Sequence, residues 1–133
     1  MLTSIGLLII RVVIGVLFIG HGAQKLFGAF GGYGLEGTGQ YFDSIGIKPG
    51  KTMALLAGLM EFVGGLLFAL GLFTPIGALL IALTMVVAIA KVHGANGLWI
   101  TQNGYEYNLV LLVVAIAVAF IGAGDYSLDA FLF

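Results

Sequence analysis

From Ser4 to Phe27 the chain is apolar apart from Arg11 and a polar group near its end, and three further apolar runs follow. A helix needs about 20 predominantly apolar residues to cross a hydrocarbon core of roughly 30 Å, and these runs meet that length at about residues 4–27, 51–70, 75–92 and 105–122. Composition agrees: 61% hydrophobic, 8% charged and a mean hydropathy of +1.18 describe a chain built for lipid. The expected fold is therefore an all-α, integral membrane four-helix up-and-down bundle, a single membrane domain over residues 1–133.

The first span is not expected to be a cleaved signal, because no Lys or Arg precedes Ile5 and an arginine interrupts the apolar region. Residues 28–50 form a Gly-rich connection in which Tyr41, Phe42, Ile45 and Ile47 are spaced for a short interfacial helix, aromatic side down. Gly32-Tyr33-Gly34-Leu35-Glu36-Gly37 matches GxGxxG, but it follows a membrane helix instead of a strand, so the phosphate cradle has no framework. Gly50-Lys51-Thr52 lacks the first glycine of a P-loop and marks, with Pro49, the start of the second span. Gly71 is placed to cap that span, Thr74-Pro75 to start the third, and Asp125 and Asp129 mark a short exposed tail.

Several function classes are excluded. A net charge of -1 offers no basic field for nucleic acid, and the absence of cysteine removes disulfides, thiolate metal sites and thiol relays. His21 and His93 form no HxxxH or HxxE pair, so no metal or haem is expected.

Lys25, Lys48, Lys51 and Lys91 flank the loops 28–50 and 93–104, whereas the other end offers only Arg11; the loops are therefore expected to be cytoplasmic, with a cysteine at position 38 as the accessibility test.

Arg11 and Glu61 are the costly residues, since a charge at the bilayer centre costs about 2.5–3.5 kcal/mol even on insertion scales. With Lys25 and Lys51 taken as level, Arg11 lies about 21 Å and Glu61 about 15 Å below them, within an arginine's reach. An intramembrane Arg11–Glu61 pair is expected, supported by the small residues Ala54, Ala57, Gly58, Gly64 and Gly65 around Glu61. It is either a structural clamp or the floor of a cavity in which Glu61 handles protons.

Near the long loops, His21 and Lys25 share one helix face above Phe18. Gln24, Lys91, His93, Trp99 and Tyr105-Glu106-Tyr107-Asn108 gather at the same end. Part of this group suits an interfacial aromatic and dipole-favoured set; its density also suits a ligand site within a bundle.

Arg11 with His21-Gly22-Ala23-Gln24-Lys25-Leu26-Phe27-Gly28, Glu61 with Gly64-Gly65, Gly71, Pro75, Val92-His93, Asn96-Gly97-Leu98-Trp99 and Asn103-Gly104-Tyr105-Glu106-Tyr107-Asn108-Leu109 follow in an order that resembles the DoxX family over nearly the whole chain. Leu98 stands where the family pattern usually has phenylalanine. The resemblance implies a bacterial cytoplasmic-membrane protein, often labelled an oxidoreductase or a quinone-linked subunit of one, with CatD-type relatives as the nearest branch.

The reading that unites residues and resemblance is a membrane subunit of a quinone-linked oxidoreductase system that does not carry electrons alone. It would bind a quinone or small aromatic, with His21 and Glu106 moving protons. Gln24, Lys25, Lys91, His93 and Asn108 would supply polar contacts, with Trp99 and Tyr105 on the ring. No covalent cofactor is expected. The alternatives are a scaffold or anchor for partner proteins and a permeation protein for protons or small molecules. Candidate partners are the lipid bilayer, a soluble or membrane oxidoreductase, and a second copy of the chain.

Overall fold

The computed structural model describes residues 1–133. It is all-helical: α1 (Leu2–Phe27), α2 (Gly34–Ser44), α3 (Gly50–Leu70), α4 (Thr74–Ala88), α5 (Glu106–Ile121) and α6 (Leu128–Leu132). Three segments, Leu2–Phe27, Gly50–Leu70 and Thr74–Asn96, are long and apolar enough to cross a membrane. The fourth, α5, has 16 residues, about 24 Å of helix, and is shorter than a full hydrocarbon core.

Local chemistry sets these ends. Gly71 takes φ 65° after α3, and Leu72 N–H bonds Leu67 C=O while Gly71 N–H bonds Phe68 C=O, the paired bonds of a Schellman stop. Thr74 and Pro75 open α4, but Thr74 is its first residue rather than its cap, and its hydroxyl donates to Asp129. At its far end α4 widens into a π turn, Ile89–His93.

Helix α3 lies between α1 and α4, and α5 packs on α4. The α1–α3 crossing is made by glycines from both helices. A Cβ on Gly15 would stand 2.6 Å from Gly65 O, and one on Gly22 would stand 2.6 Å from Phe62 N. Gly64, by contrast, faces Leu80 and Gly77 of α4, so the small-residue face around Glu61 is divided between two neighbours.

One apolar cluster ties all four long helices together: Leu7 and Phe18, Phe68, Ala78, Ile81 and Met85, and Ala115 and Val118. It fills the half of the bundle near the chain termini. The other half opens toward the two long loops.

The terminal tail is not a free extension. Ser4 Oγ donates to Asp125 Oδ2 at 3.1 Å, and Arg11, only 1% exposed, donates to Ala69 O at 3.2 Å and to Tyr126 O. Asp129 accepts from Phe73 N, Thr74 N and Thr74 Oγ1 at 2.7, 2.9 and 2.7 Å, capping the start of α4. Burial works against the charged form of Asp129, yet the hydrogen bonds from Thr74 and Phe73, with Arg11 nearby, hold its carboxyl below the ordinary range.

Candidate functional site: a cavity at the loop end

Above Phe18, Met85 and Leu111 the helices part around a cavity of about 1580 Å³. Its walls come from α1, α3, α4 and α5, and α2 contributes Thr38, Gln40, Tyr41 and Phe42. The loop helix expected at the interface is therefore present, but it docks on α3 and walls the cavity. Asp43 Oδ1 accepts from Gly50 N at 2.9 Å, and exposed Lys51 pairs with Glu36 at 2.9 Å. The hydrogen bond from Lys51 Nζ to Glu36 Oε1 and the lysine's charge hold the Glu36 carboxyl below its usual range.

The one ion pair among the lining residues joins Lys25 Nζ to Glu61 Oε1 at 2.6 Å. The expected Arg11–Glu61 pair is not formed. Its premise, Lys25 level with Lys51, fails because Gly22 seats against Gly58 and Phe62 and Gly15 against Gly65 and Ala69. Lys25 is thus level with about residue 57, a slip of about six residues or roughly 9 Å, which brings Glu61 one turn from Lys25 and leaves Arg11 at the tail end. Glu61 is 5% exposed, and Lys25 is its only polar partner.

The remaining polar groups differ in how far they are already engaged. His21 makes no hydrogen bond to protein; its ring lies edge-on to Phe18, centroids 6.1 Å apart. Gln24 Nε2 donates to Phe30 O at 3.2 Å. Asn108 Nδ2 finds only the Met85 thioether at 3.6 Å, a weak acceptor that leaves the amide largely unspent. His93 Nδ1 lies 3.0 Å from the carbonyl oxygen of Asn103. A carbonyl only accepts, so Nδ1 carries the proton and Nε2 of the neutral ring keeps a lone pair.

His21, Gln24, Lys25, Glu61, His93 and Asn108 thus share one cavity, while four other expected contacts do not line it. Glu106 accepts from Ile100 N at 3.0 Å and closes the loop before α5. That bond turns its carboxylate to the loop, and α5 lines the cavity instead with Tyr107, Asn108, Val110 and Leu111. Tyr105 precedes the helix with its N–H bonded to Gly97 O, and Trp99 is 60% exposed. The π turn displaces Lys91: the inward positions run Thr84, Ala88, Val92, so the extra residue puts Val92 where regular helix would put Lys91. Thr38, Gln40 and Thr84, not among the expected residues, also line the cavity; of these Thr84 is marked in the sequence as a polar residue within an apolar run.

The DoxX family model matches residues 6–94, from α1 through the π turn. Among curated proteins, the chain is 36% identical over 130 residues to a Bacillus subtilis protein named "Putative oxidoreductase CatD", covering 98% of this chain and 89% of that protein. It is 30% identical to the inner membrane protein YqjF of Escherichia coli (98% and 95% covered). It is 31% identical to the uncharacterized membrane protein Rv3486 of Mycobacterium tuberculosis (90% and 77% covered). No solved structure matches. The apolar helices and these relatives support a bacterial membrane location, and the chain belongs to the DoxX family.

Proposed function

We propose that this protein is the membrane subunit of a quinone-linked oxidoreductase system and holds a quinone or similar small aromatic in the loop-end cavity. The observation that carries the reading is the pairing of an apolar floor with under-used polar groups on several walls: Phe18, Met85 and Leu111 beneath, Lys25 and His21 on α1, Asn108 on α5. Small-molecule pockets typically measure roughly 300–1,000 Å³, so about 1580 Å³ holds a ring together with part of an isoprenoid tail. The relative named as an oxidoreductase supports the reaction class.

A quinone supplies a two-electron, two-proton couple, and the chain's own residues would handle the ring oxygens and protons. Lys25 has three donor hydrogens and gives one to Glu61, leaving others for a carbonyl. Asn108 would donate from the facing helix, and the free Nε2 of His93 would accept a proton from a hydroxyl. Trp99, Tyr105, Lys91 and Glu106 take no part; the His21–Lys25–Asn108–His93 set replaces them. Electrons would pass to or from a partner oxidoreductase.

Purified protein melted against quinones and catechols tests this. A ligand that raises the melting temperature in wild type, with affinity about 10-fold weaker in Asn108→Ala and His21→Ala, supports the cavity. No stabilisation by any of them, with normal folding, leaves a scaffold.

A further inference from the structure

The cavity's charge pattern carries a second conclusion, which rests on the ligand reading above. Of its lining residues only Lys25 and Glu61 bear a fixed charge, and each neutralises the other at 2.6 Å. Arg11 is held at the opposite end by Ala69 and Tyr126, and exposed Lys91 lies outside the lining. A site that binds a carboxylate presents an unspent cation; here the cation is spent on a carboxylate built into the wall. We infer that the Lys25–Glu61 pair makes the cavity select electrically neutral aromatics, such as quinones and protonated phenols, and that Glu61 is the residue that rejects aromatic carboxylates.

An incoming anion would have to shed water against apolar walls and approach Glu61, which is 5% exposed and cannot turn away into solvent. To reach Lys25 it would have to displace Glu61, leaving that carboxylate buried and unpartnered. A neutral carbonyl faces neither cost, since it takes one of the ammonium's remaining hydrogens with the pair intact. His21 and His93 are the other titratable groups facing the cavity apart from Tyr33, Tyr41 and Tyr107. Titrating both probes at the same pH keeps the contribution of these groups common to the two.

The test pairs two bicyclic probes of like size, 1,4-naphthoquinone and 1-naphthoate, titrated into the detergent-purified full chain at pH 8. Wild type should bind the quinone at least about 10-fold more tightly than the carboxylate, because like charges brought together in a desolvated site are strongly disfavoured. Glu61→Gln should free Lys25 and tighten 1-naphthoate by about 10-fold or more, and Lys25→Gln combined with Glu61→Gln should abolish that gain. Equal wild-type affinities for the two probes would overturn the selectivity while leaving the quinone site standing. Absent gain in a folded Glu61→Gln protein would overturn it too. Failure of wild type to bind the quinone would overturn the functional reading and this one together. Should Glu61→Gln not fold, the wild-type ratio still decides.

Discussion

Replacing Asp129 with alanine removes a carboxylate that holds the closed end of the bundle together across the chain. It accepts from two backbone amides and one hydroxyl at the start of α4, 55 and 56 residues away. Loss of an N-cap acceptor costs about 0.5–2 kcal/mol. The Thr74 hydroxyl's bond to a charged acceptor adds about 1.5 kcal/mol. Because Asp129 is only partly buried, solvent recovers part of this, and a total of about 1–3 kcal/mol is expected. For a chain of this size that lowers the melting temperature by roughly 3–12 °C in a detergent melt. The sign with pH is fixed as well. The folded carboxyl is held below its ordinary range, so its contribution is fully present above the unfolded value near 4 and is lost as pH falls through the folded one. The gap between wild type and Asp129→Asn should therefore be constant from about pH 8 to 5 and shrink in stronger acid. A melting temperature for Asp129→Ala within about 2 °C of wild type, or a gap that widens in acid, would refute the account of the tail as a cap.

Three other expectations follow from the packing. Gly22→Ala should cost about 1–3 kcal/mol in a denaturation assay because its Cβ meets Phe62 N. Gly20→Ala, with nothing within 4 Å, should be neutral or gain up to about 1 kcal/mol. Lys25→Met leaves Glu61 buried without a partner and should destabilise by about 3–5 kcal/mol, most of it recovered in Lys25→Met with Glu61→Met; Arg11→Glu with Glu61→Arg should recover nothing. Thr38 is buried, so the sidedness of the loops is better probed at exposed Ser44: Ser44→Cys should react with an impermeant maleimide only after the cells are permeabilised.

Helix number, the glycine stop at Gly71, the start at Thr74-Pro75 and the helix within the first loop were legible because each is written locally, in run length or in one backbone-restricted residue. The inter-helix register was not. Lysine positions at helix ends gave a false level, whereas Gly15 and Gly22, seven apart on α1, meet Gly65 and Gly58, seven apart on α3, and set the true one. That slip exchanged the partner of Glu61 and hid Arg11's. The tail is largely exposed, as expected, but nothing near Asp125 or Asp129 in the chain signals their bonds to Ser4 and Thr74, so its docking was not legible. Within the site, His21, Gln24 and Lys25 on α1 and Asn108 on α5 line the cavity. Lys91, Trp99, Tyr105 and Glu106 lie outside its lining, because a π turn rotates Lys91 away, Trp99 and Tyr105 sit in a loop closed by its own hydrogen bonds, and Glu106 at the start of α5 is spent on that loop, none of which run length reveals.

Photolabelling with a quinone bearing a diazirine on its ring tests most directly whether the loop-end cavity is a binding site. Peptide mapping should find the label on Met53–Glu61 of α3 and Tyr107–Leu111 of α5, suppressed by excess unlabelled quinone. Label confined to the outward residues Ile9, Val13 and Val16 of α1 and insensitive to competitor would contradict it, marking the quinone as a solute of the surrounding lipid.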